Sequence, residues 1–416
     1  MRGLLLPLLA LAACNGAGSA ASTGGAGLDA SGAAAPSVPL SRAPFRVEEM
    51  GRFADPWALA FLPDGAALVT DKGGRLKLWR QGAEPSDVAG VPRVAPGGQG
   101  GLLDVVLSPR FARDGLVYLT YSEPQAAGGS GLTLARARLA RTGDAARLDG
   151  LAVIWRDPAG GRGGQFGAIV AFSPDGKFLY LSSGERQRFT PAQDPSQPLG
   201  KILRLTPDGK PAPGNPAAGK LGAATVAVTD PPRSTGAAAG AAARTFAWPG
   251  PNLTPAETWS QGHRNPYGLA FTPDGRLWET EMGPKGGDEL NLILPGRDYG
   301  WPAVSNGDNY DGSGIPDHAT QPRFEPPKLW WSPSISPSSL LVYTGSLFPR
   351  WKGSGFIGAL SGEALIRVTF DGDRAHKAEQ FDMDTRIRFV AQGPDGAIWL
   401  LEDGASGRLL RLAPKG

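Results

Sequence analysis

Four segments of the chain share one pattern of apolar and polar residues. In each, a run rich in Val, Leu, Phe or Trp leads into Pro-Asp-Gly and then into a second apolar run; the segments are residues 57–79, 168–185, 267–283 and 388–403. Proline presets φ at the first turn position and Asp-Gly tolerates positive φ, so the chain can reverse tightly there. Each segment therefore predicts a β-hairpin.

Such hairpins recur over the whole body of the chain, with almost no helical periodicity between them. The turn prolines, at positions 63, 174, 273 and 394, are spaced as if two blades separated each pair. Roughly 370 residues divided into blades of about 60 suggest six repeats. We predict an all-β fold over residues 44–416, a six-bladed β-propeller of four-stranded antiparallel blades, with a pair of β-sandwiches as the alternative.

One stretch interrupts this pattern. Residues 212–256 are low in complexity and contain few strand-forming residues. We expect a surface insertion there and place no function in it.

The first residues have the features of an export signal. The sequence MRGLLLPLLALAACNG has one Arg and then an apolar stretch that is too short to span a membrane. Its small residues end in Cys14, the single cysteine of the chain, so no intramolecular disulfide is expected. This arrangement resembles a bacterial lipobox, which implies removal of residues 1–13 and lipidation of Cys14; an ordinary cleaved signal is the alternative.

The segment after Cys14 predicts a flexible connection between the lipid anchor and the folded body. Residues 14–43 consist almost entirely of Gly, Ala, Ser and Pro, so we expect a disordered tether. Asn15, where some lipoproteins have Asp, suggests the outer membrane. The expected location is the periplasm, with membrane contact only through the lipid anchor.

The charge of the chain argues against nucleic acid as a partner. Lys plus Arg is 42 and Asp plus Glu is 39, so the formal net charge is only +3. The basic residues are scattered, with no run of five or more. Nucleic acid is not an expected partner, because phosphate binding needs clustered positive charge.

Polar residues cluster at several separate points of the body. Propeller ligands usually lie near the central channel, where loops from several blades meet, so a scattered site is expected. Arg386 and Arg388 are two positions apart and point to one side of a strand. Structural alternatives remain at each cluster: an ion-paired strand face for these arginines, a loop that caps main-chain amides at 288–289, and a blade-joining corner at 263–266.

A resemblance to a known family is carried by four stretches, GQGGLLDV, LGKILRLTPDGKPAPGNP, GHRNPYGLAFTPDGRLWETEMGPKGGDELNLI and YGWP. They resemble the soluble aldose sugar dehydrogenases of the glucose/sorbosone dehydrogenase family, from about Val47 to Leu412. That family is six-bladed and depends on pyrroloquinoline quinone (PQQ) and Ca²⁺. The resemblance implies oxidation of an aldose sugar or related polyol, with electrons passed to an external acceptor, by a monomer or dimer.

The resemblance also implies roles for individual residues. PQQ is a flat tricarboxylate quinone, and the planar fork of arginine pairs bidentately with carboxylates. Trp331 falls near the sugar-facing aromatic of the family. The residues implied to hold the carboxylates and quinone oxygens are Gln99, Arg264, Asn265, Arg386 and Arg388.

Calcium ligands follow from the same resemblance. The main-chain carbonyls of Gly283 and Pro284 are implied to bind the Ca²⁺ that bridges to PQQ, since Ca²⁺ readily accepts neutral oxygen ligands. Asp288, Glu289 and Tyr299 match positions that bind further Ca²⁺ ions in a relative, or they serve a structural role here.

The chain departs from the family at its chemistry. The family base is a His, and Gln165 stands at the matching position; glutamine cannot accept a proton. At the position where the family next has an Arg, this chain has Ile169. At the position of the family Lys that contacts PQQ, it has Ser361. Glu185 and His263 are the candidate replacements for the base.

Three functions therefore remain open at this point. The first is a PQQ-dependent sugar dehydrogenase with a changed base. The second is a non-catalytic lipoprotein that binds PQQ or a carbohydrate. The third is a Ca²⁺-dependent propeller hydrolase such as a lactonase.

Overall fold

The computed structural model describes residues 29, 31–126, 128–143, 145–231 and 240–415. The predicted signal peptide, Cys14 and most of the predicted tether lie outside the described residues. So do residues 232–239 of the predicted insertion.

Strands dominate the described part of the chain. The first half contains β1 (Ser37–Pro39), β2 (Phe45–Phe53), β3 (Pro56–Phe61), β4 (Ala67–Asp71), β5 (Leu76–Trp79), β6 (Ser86–Ala89), β7 (Leu102–Leu107), β8 (Leu116–Pro124), β9 (Ser130–Thr142), β10 (Ala145–Arg156), β11 (Gly167–Phe172), β12 (Leu179–Ser183) and β13 (Lys201–Leu205). The second half contains β14 (Thr225–Thr229), β15 (Ala243–Ala247), β16 (Thr258–Gln261), β17 (Pro266–Phe271), β18 (Leu277–Glu281), β19 (Asp288–Leu292), β20 (Leu329–Trp331), β21 (Pro337–Val342), β22 (Gly355–Ala359), β23 (Ala364–Asp371), β24 (Arg374–Asp382), β25 (Ile387–Gln392), β26 (Ile398–Glu402) and β27 (Gly407–Pro414).

Helices are few and short. The described residues form the α-helices α1 (Phe111–Asp114) and α2 (Thr254–Glu257), and 3-10 turns at Thr190–Gln193, His318–Thr320 and Pro349–Trp351. Across the described ranges, none of the helices has the length and apolar character needed to cross a bilayer. The all-β prediction is confirmed.

The strands form sheets that are mostly antiparallel. Three sheets have four strands, in the orders β11-β12-β13-β16, β17-β18-β19-β20 and β2-β27-β26-β25. The others run β1-β24-β23-β22-β21, β3-β4-β5-β6-β10-β9-β8-β7 and β14-β15. In the eight-stranded sheet, β6 and β10 pair in parallel, whereas its other neighbours are antiparallel.

The four Pro-Asp-Gly hairpins are confirmed. They join β3 to β4, β11 to β12, β17 to β18 and β25 to β26, and each pair is antiparallel. In the first, the Leu62 amide donates to the Ala66 carbonyl at 2.7 Å, which closes the turn. The local turn chemistry therefore acts as the sequence predicts.

The sheets are arranged around a closed ring of strands. Each of β3, β7, β11, β17, β21 and β25 contacts the next, and β25 contacts β3 again. Buried apolar side chains of successive sheets pack between them, and the largest cluster extends from β3 to β17. The N-terminal β2 joins the sheet of the C-terminal strands, so the two ends of the chain close the β-propeller.

The predicted tether is too long at its C-terminal end. Within residues 14–43, β1 pairs in parallel with β24, and Ala35 and Ala43 are buried. A short strand can add to a free sheet edge through main-chain hydrogen bonds even when its side chains are small. The ordered body therefore begins before residue 44.

The predicted insertion has local order outside the ring. Its strands β14 and β15 pair only with each other, and Val226, Val228 and Ala159 form a small separate core. Among the described residues, this segment therefore contains a hairpin that is separate from the sheets around the ring.

Candidate functional site

A cavity of about 340 Å³ opens at one end of the ring. Its walls combine aromatic, amide and charged side chains from most of the sheets. The residues that line it are Trp57, Lys72, Gly98, Gln99, Tyr267, Met282, Tyr310, Ser336, Leu360, Arg386, Arg388 and Asp403.

The topology explains why these residues meet. Gln99, Ser336 and Arg386 lie just before β7, β21 and β25, whereas Lys72 and Asp403 directly follow β4 and β26. Because the first two strands of a sheet are antiparallel, the start of one and the end of the other lie at the same edge. The cavity is thus at the end of the ring opposite the Pro-Asp-Gly turns.

Arg386 and Arg388 converge on one carboxylate that sequence reasoning missed. Arg388 donates from Nε and Nη2 to Oδ1 of Asp403, at 2.9 and 2.7 Å, and Arg386 donates from Nε to Oδ2 at 3.0 Å. Burial alone would raise the pKa of Asp403, but Arg388 and Arg386 outweigh it and hold that pKa below its usual value. The predicted common orientation of the two arginines is confirmed, and the ion-paired strand face is present as well.

Gln99, which lines the cavity just before β7, connects to Gln165. Its Oε1 accepts a hydrogen bond from the Gln165 amide at 2.5 Å and another from the Tyr267 hydroxyl at 3.3 Å. Gln165 is buried with φ of 53°, and its own Oε1 has no hydrogen-bond partner among the described residues. An unsatisfied buried acceptor therefore lies next to the cavity wall.

Two buried arginines that sequence reasoning missed hold the glycine-rich loop before Gln165. Arg186 donates to the carbonyls of Ser130, Gly161, Gly163 and Gly164, and its guanidinium lies 3.8 Å from the ring centre of Phe166. Burial lowers the pKa of Arg186 to about 9. A second arginine binds the same loop, with Arg188 Nη2 donating to the Gly160 and Arg162 carbonyls.

Arg264 lies beside the cavity and binds the segment predicted to hold Ca²⁺. Its Nη1 donates to the Met282 carbonyl at 2.9 Å and to the Gly283 carbonyl at 2.8 Å. The same guanidinium contacts the Tyr310 hydroxyl at 3.3 Å and lies 5.2 Å from the ring centre of Trp301. Met282 and Tyr310 line the cavity, so Arg264 contacts two residues of its wall without lining it.

Asn265 is fully buried next to Arg264. Its Oδ1 accepts the Gly167 amide at 3.3 Å, and its Nδ2 lies 3.6 Å from the sulfur of Met282. It therefore connects the segment that follows Gln165 to the segment that carries Gly283.

His263 belongs to a buried polar network and does not line the cavity. Its Nδ1 lies 3.0 Å from Glu281 Oε1 and its Nε2 lies 2.8 Å from Ser260 Oγ, while its ring stacks on Tyr299 at 4.6 Å. Asn291 Nδ2 donates to Glu281 and to two further glutamates of β18 and β19. Both ring nitrogens are engaged, so His263 supports Arg264 from behind and is not placed to act as a base.

The same network gathers potential metal ligands. Ligand atoms of His263, Glu279 and Glu281 lie within 4.8 Å of one another, and all three residues are buried. Burial, followed by the charge of Glu281, raises the pKa of Glu279 well above its usual value. The raised pKa of Glu279 favours its neutral form, which reduces the repulsion between the two buried carboxyl groups.

Glu185 is held in a turn rather than at the cavity wall. Its carboxylate accepts the amides of Gln187 at 3.1 Å, Phe189 at 2.5 Å and Arg188. Burial raises its pKa above the usual value. The carboxylate is fully used in capping this turn, so the candidate role as a base loses its geometric support.

The predicted acidic metal ligands are also occupied by protein donors. Asp288 Oδ2 accepts hydrogen bonds from Ser334 Oγ, the Ile335 amide and the Ser336 amide, at 2.6 to 2.7 Å, and Oδ1 accepts the Gly283 amide at 2.8 Å. This is the structural role left open by the sequence, since Asp288 braces the loop that carries Ser336 into the cavity.

Glu289 and Tyr299 are committed in the same way. Glu289 Oε1 lies 3.2 Å from His318 Nε2, and Oε2 accepts from Asn291 Nδ2 at 3.1 Å. The Tyr299 hydroxyl donates to the Leu292 carbonyl at 2.5 Å and accepts the Leu294 amide at 2.9 Å. Both side chains stabilise the local fold.

The prediction that Trp331 faces a sugar in the cavity is wrong. The side chain is 1% exposed and belongs to the core between β19, β20 and β22, with Lys377 Nζ 5.1 Å from its ring centre. Its ring cannot face a sugar in the cavity. Tyr310, which is 72% exposed and lines the cavity, is the aromatic that sequence reasoning missed.

The chain is similar to known proteins over most of its length. The sequence profile of the Glucose / Sorbosone dehydrogenase family matches residues 53–229 and 241–411, interrupted only inside the insertion. Aldose sugar dehydrogenase YliI of Escherichia coli K12 is 36% identical over 369 residues, which cover 86% of this chain and 90% of that protein.

Two solved structures are similar over nearly the whole chain. The apo form of the E. coli soluble aldose sugar dehydrogenase has a TM-score of 0.76 and 35% identity, covering 89% of this chain and all of that one. The PQQ-bound aldose sugar dehydrogenase of Streptomyces coelicolor has a TM-score of 0.64 and 29% identity, covering 90% and 100%. The chain therefore belongs to the glucose/sorbosone dehydrogenase family.

Proposed function

We propose that this protein is a PQQ-dependent dehydrogenase that oxidises an aldose sugar or related polyol and passes the electrons to an external acceptor. The observation that carries the proposal is the cavity at the end of the ring, which is lined by Arg386, Arg388, Lys72 and Gln99. A relative of known activity and a PQQ-bound relative support the reaction class.

The residues present fit a planar polyanion. Three cations and one carboxylate line the cavity, which leaves a positive excess, and Arg pairs strongly with carboxylates. Trp57 and Tyr267 pack edge to face at 5.9 Å and supply a rigid aromatic wall. Leu360 and Met282 contribute apolar surface, so the cavity can cover a flat ring while its cations bind the ring's edge.

Within this proposal, the chain binds and orients more than it transfers protons. PQQ, when bound, supplies the group that accepts the hydride equivalent from the sugar. Arg386 and Arg388, fixed by Asp403, hold the carboxylates of the cofactor at a constant position. Gln165 stands at the position of the family's base, but its amide cannot take a proton from a sugar hydroxyl, and its Oε1 is buried beside the cavity wall.

The base is therefore weak in this chain. Of the described residues that line the cavity, Asp403 is the carboxylate, and the arginines lower its pKa. We expect turnover slower than that of a relative with His at this position. A non-catalytic binding protein and a lactonase are less well supported, because the relatives with stated activities are sugar dehydrogenases.

Calcium dependence is part of the proposal, with one structural condition. The Gly283 carbonyl already accepts Arg264 Nη1, although a carbonyl oxygen has a second lone pair. Ca²⁺ binding at Gly283 and Pro284 therefore requires Arg264 to share this oxygen or to move, and no step of the reaction is derived through the metal.

Three further features are proposed with the function. We interpret the eight-stranded sheet as two four-stranded blades that meet at the parallel β6–β10 pair, which gives six blades in all, one of which carries β1 as a fifth strand. We also propose that the protein is exported to the periplasm. Lipidation at Cys14 would hold it, with outer-membrane attachment suggested by Asn15.

The test is reconstitution of the purified apoprotein. PQQ is titrated with and without Ca²⁺ while tryptophan fluorescence is followed, and aldoses are then assayed with a dye acceptor. Saturable binding and sugar-dependent dye reduction are expected. Absence of PQQ binding at micromolar concentrations would overturn the proposal, and binding without reduction by any sugar would favour the non-catalytic alternative.

A further inference from the structure

The positive wall of the cavity contains a lysine that no prediction from the sequence included. Lys72 directly follows β4 and lines the cavity beside Arg386 and Arg388. Its Nζ lies 3.9 Å from Oδ1 of Asp403. Three cations therefore surround a single carboxylate, and their charge exceeds what that carboxylate can neutralise.

Lys72 is the least committed of these three cations. The two oxygens of Asp403 already accept three hydrogen bonds from Arg386 and Arg388, at 2.7 to 3.0 Å. At 3.9 Å, Lys72 Nζ is beyond hydrogen-bond distance of Asp403, and none of the described residues accepts a hydrogen bond from it. Its three N–H groups are thus free to donate to a ligand in the cavity.

The main chain fixes where this side chain begins. The Lys72 amide donates to the Asp55 carbonyl at 3.0 Å. The Lys72 carbonyl is packed so closely on Gly101 that a Cβ there would lie 2.2 Å from the oxygen, and Gly101 has φ of 147°. Lys72 is therefore held against the loop that carries Gln99, and only its flexible end is adjustable.

The described cavity-lining residues next to Ser361, which are Ser336 and Leu360, carry no charge. Ser361 Oγ is 2.8 Å from Ser336 Oγ and donates to the Ser334 carbonyl at 3.0 Å. This pair of hydroxyls carries no charge, and its hydrogen bonds join the loop before β21 to the loop after β22. An anion bound in the cavity would therefore find its third positive partner at Lys72 rather than near Ser361.

We propose that Lys72 binds a carboxylate of the cofactor directly and supplies the cation that Ser361 cannot. This inference rests on the proposed binding of PQQ. In this role Lys72 is a binding residue in its own right, because its Nζ lies 3.9 Å from Asp403 Oδ1 and keeps its N–H groups available for a ligand.

The experiment compares equilibrium binding of PQQ by the full chain and its variants, followed by tryptophan fluorescence in the presence of Ca²⁺. Lys72→Met is expected to weaken binding at least tenfold, and Lys72→Arg is expected to stay within about threefold of the unmodified protein. Lys77→Met is the matched control, because Lys77 is paired with Asp87 at 2.7 Å and does not line the cavity. Circular dichroism and thermal unfolding of each variant verify folding, and Lys72→Gln repeats the test if Lys72→Met is unstable.

A second comparison separates direct binding from an effect through Asp403. If Lys72 acts only by neutralising Asp403, Lys72→Met has no further effect in the Asp403→Asn background. If Lys72 binds PQQ directly, Lys72→Met should lose a comparable factor of PQQ affinity with Asp403 and with Asn at position 403. The trimethyl ester of PQQ has no free carboxylate, so it should bind the unmodified protein and Lys72→Met equally.

The outcomes are distinguishable. Normal PQQ affinity in Lys72→Met, or loss of its effect in the Asp403→Asn background, overturns the role of Lys72 and leaves the proposed function intact. Failure of the unmodified protein to bind PQQ overturns the proposed function and this inference with it.

Discussion

Arg388 and Asp403 form a two-point ion pair in which both Nε and Nη2 of the guanidinium donate to Oδ1 of the carboxylate, at 2.9 and 2.7 Å. The side chains are 9% and 11% exposed, so the pair is nearly buried at the floor of the cavity. In such surroundings a charge that loses its partner is costly, because water cannot replace the lost interaction.

Asp403→Asn is therefore expected to destabilise the protein by about 3 kcal/mol, since it leaves the Arg388 charge buried and poorly paired. The measurement is the free energy of unfolding from urea titration. Arg386→Met is the matched comparison, because Arg386 is 47% exposed and its pairing with the same carboxylate is screened by solvent. That variant should change stability by less than about 1 kcal/mol, and equal losses in the two variants would contradict this account.

The hairpins could be predicted from the sequence because the residues that determine them are neighbours in the chain. Pro-Asp-Gly sets the turn within three residues, and the alternation beside it sets which side chains are buried. The partner of Arg388 could have been found by extending the same logic. The register of β25 and β26 places Ile387 opposite Glu402, so Asp403 had to lie beside the two arginines.

Other parts of the site depend on packing that no local pattern encodes. Trp331 is buried because it packs in an apolar cluster whose members come from distant strands, up to Ala375 on β24. Lys72 and Tyr310 lie in loops whose meeting point is fixed only when the ring of strands closes. Sequence reasoning therefore identified the arginines but not the groups that surround them.

Glu257 predicts a dependence of stability on pH. Its Oε2 accepts Trp155 Nε1 at 3.0 Å, and burial raises its pKa to about 7 from an ordinary value near 4.5. The folded protein thus retains this proton after the unfolded chain has lost it. The contribution of Glu257 to the free energy of unfolding is therefore complete below about pH 4.5 and declines as the pH rises toward 7. Above pH 7 the whole contribution, about 3 kcal/mol, is lost.

Glu257→Gln removes this titration while keeping an acceptor for Trp155. The variant should gain stability relative to the unmodified protein between pH 4.5 and 7, measured as the difference in unfolding free energy at each pH. Glu84→Gln is the control, because Glu84 is exposed. Parallel pH profiles for Glu257→Gln and the unmodified protein would show that this carboxyl titrates normally.

Asp288 is expected to act as a structural brace whether or not Ca²⁺ is present. Asp288→Asn disturbs a carboxylate that accepts four protein donors, and it should cost about 3 kcal/mol of unfolding free energy. The loss should be the same in Ca²⁺ and in EGTA, while Asp87→Asn, at an exposed surface pair, should have little effect in either. A loss confined to Ca²⁺-containing buffer would instead identify Asp288 as a ligand of the ion.

Gln165→His tests whether the missing base limits the reaction. The residue has φ of 53°, a conformation that His adopts more readily than most side chains, so the change should be tolerated by the backbone. In the PQQ-loaded enzyme, a base next to the cavity should raise kcat by about 100-fold and make it increase with pH through roughly 6.5. Gln187→His, at a neighbouring position with φ of 60°, introduces the same imidazole on the same loop assembly but should leave kcat unchanged. If Gln165→His has the kcat and pH profile of the unmodified protein, then proton removal is not the step that Gln165 impairs, and the slow-turnover account of this chain fails.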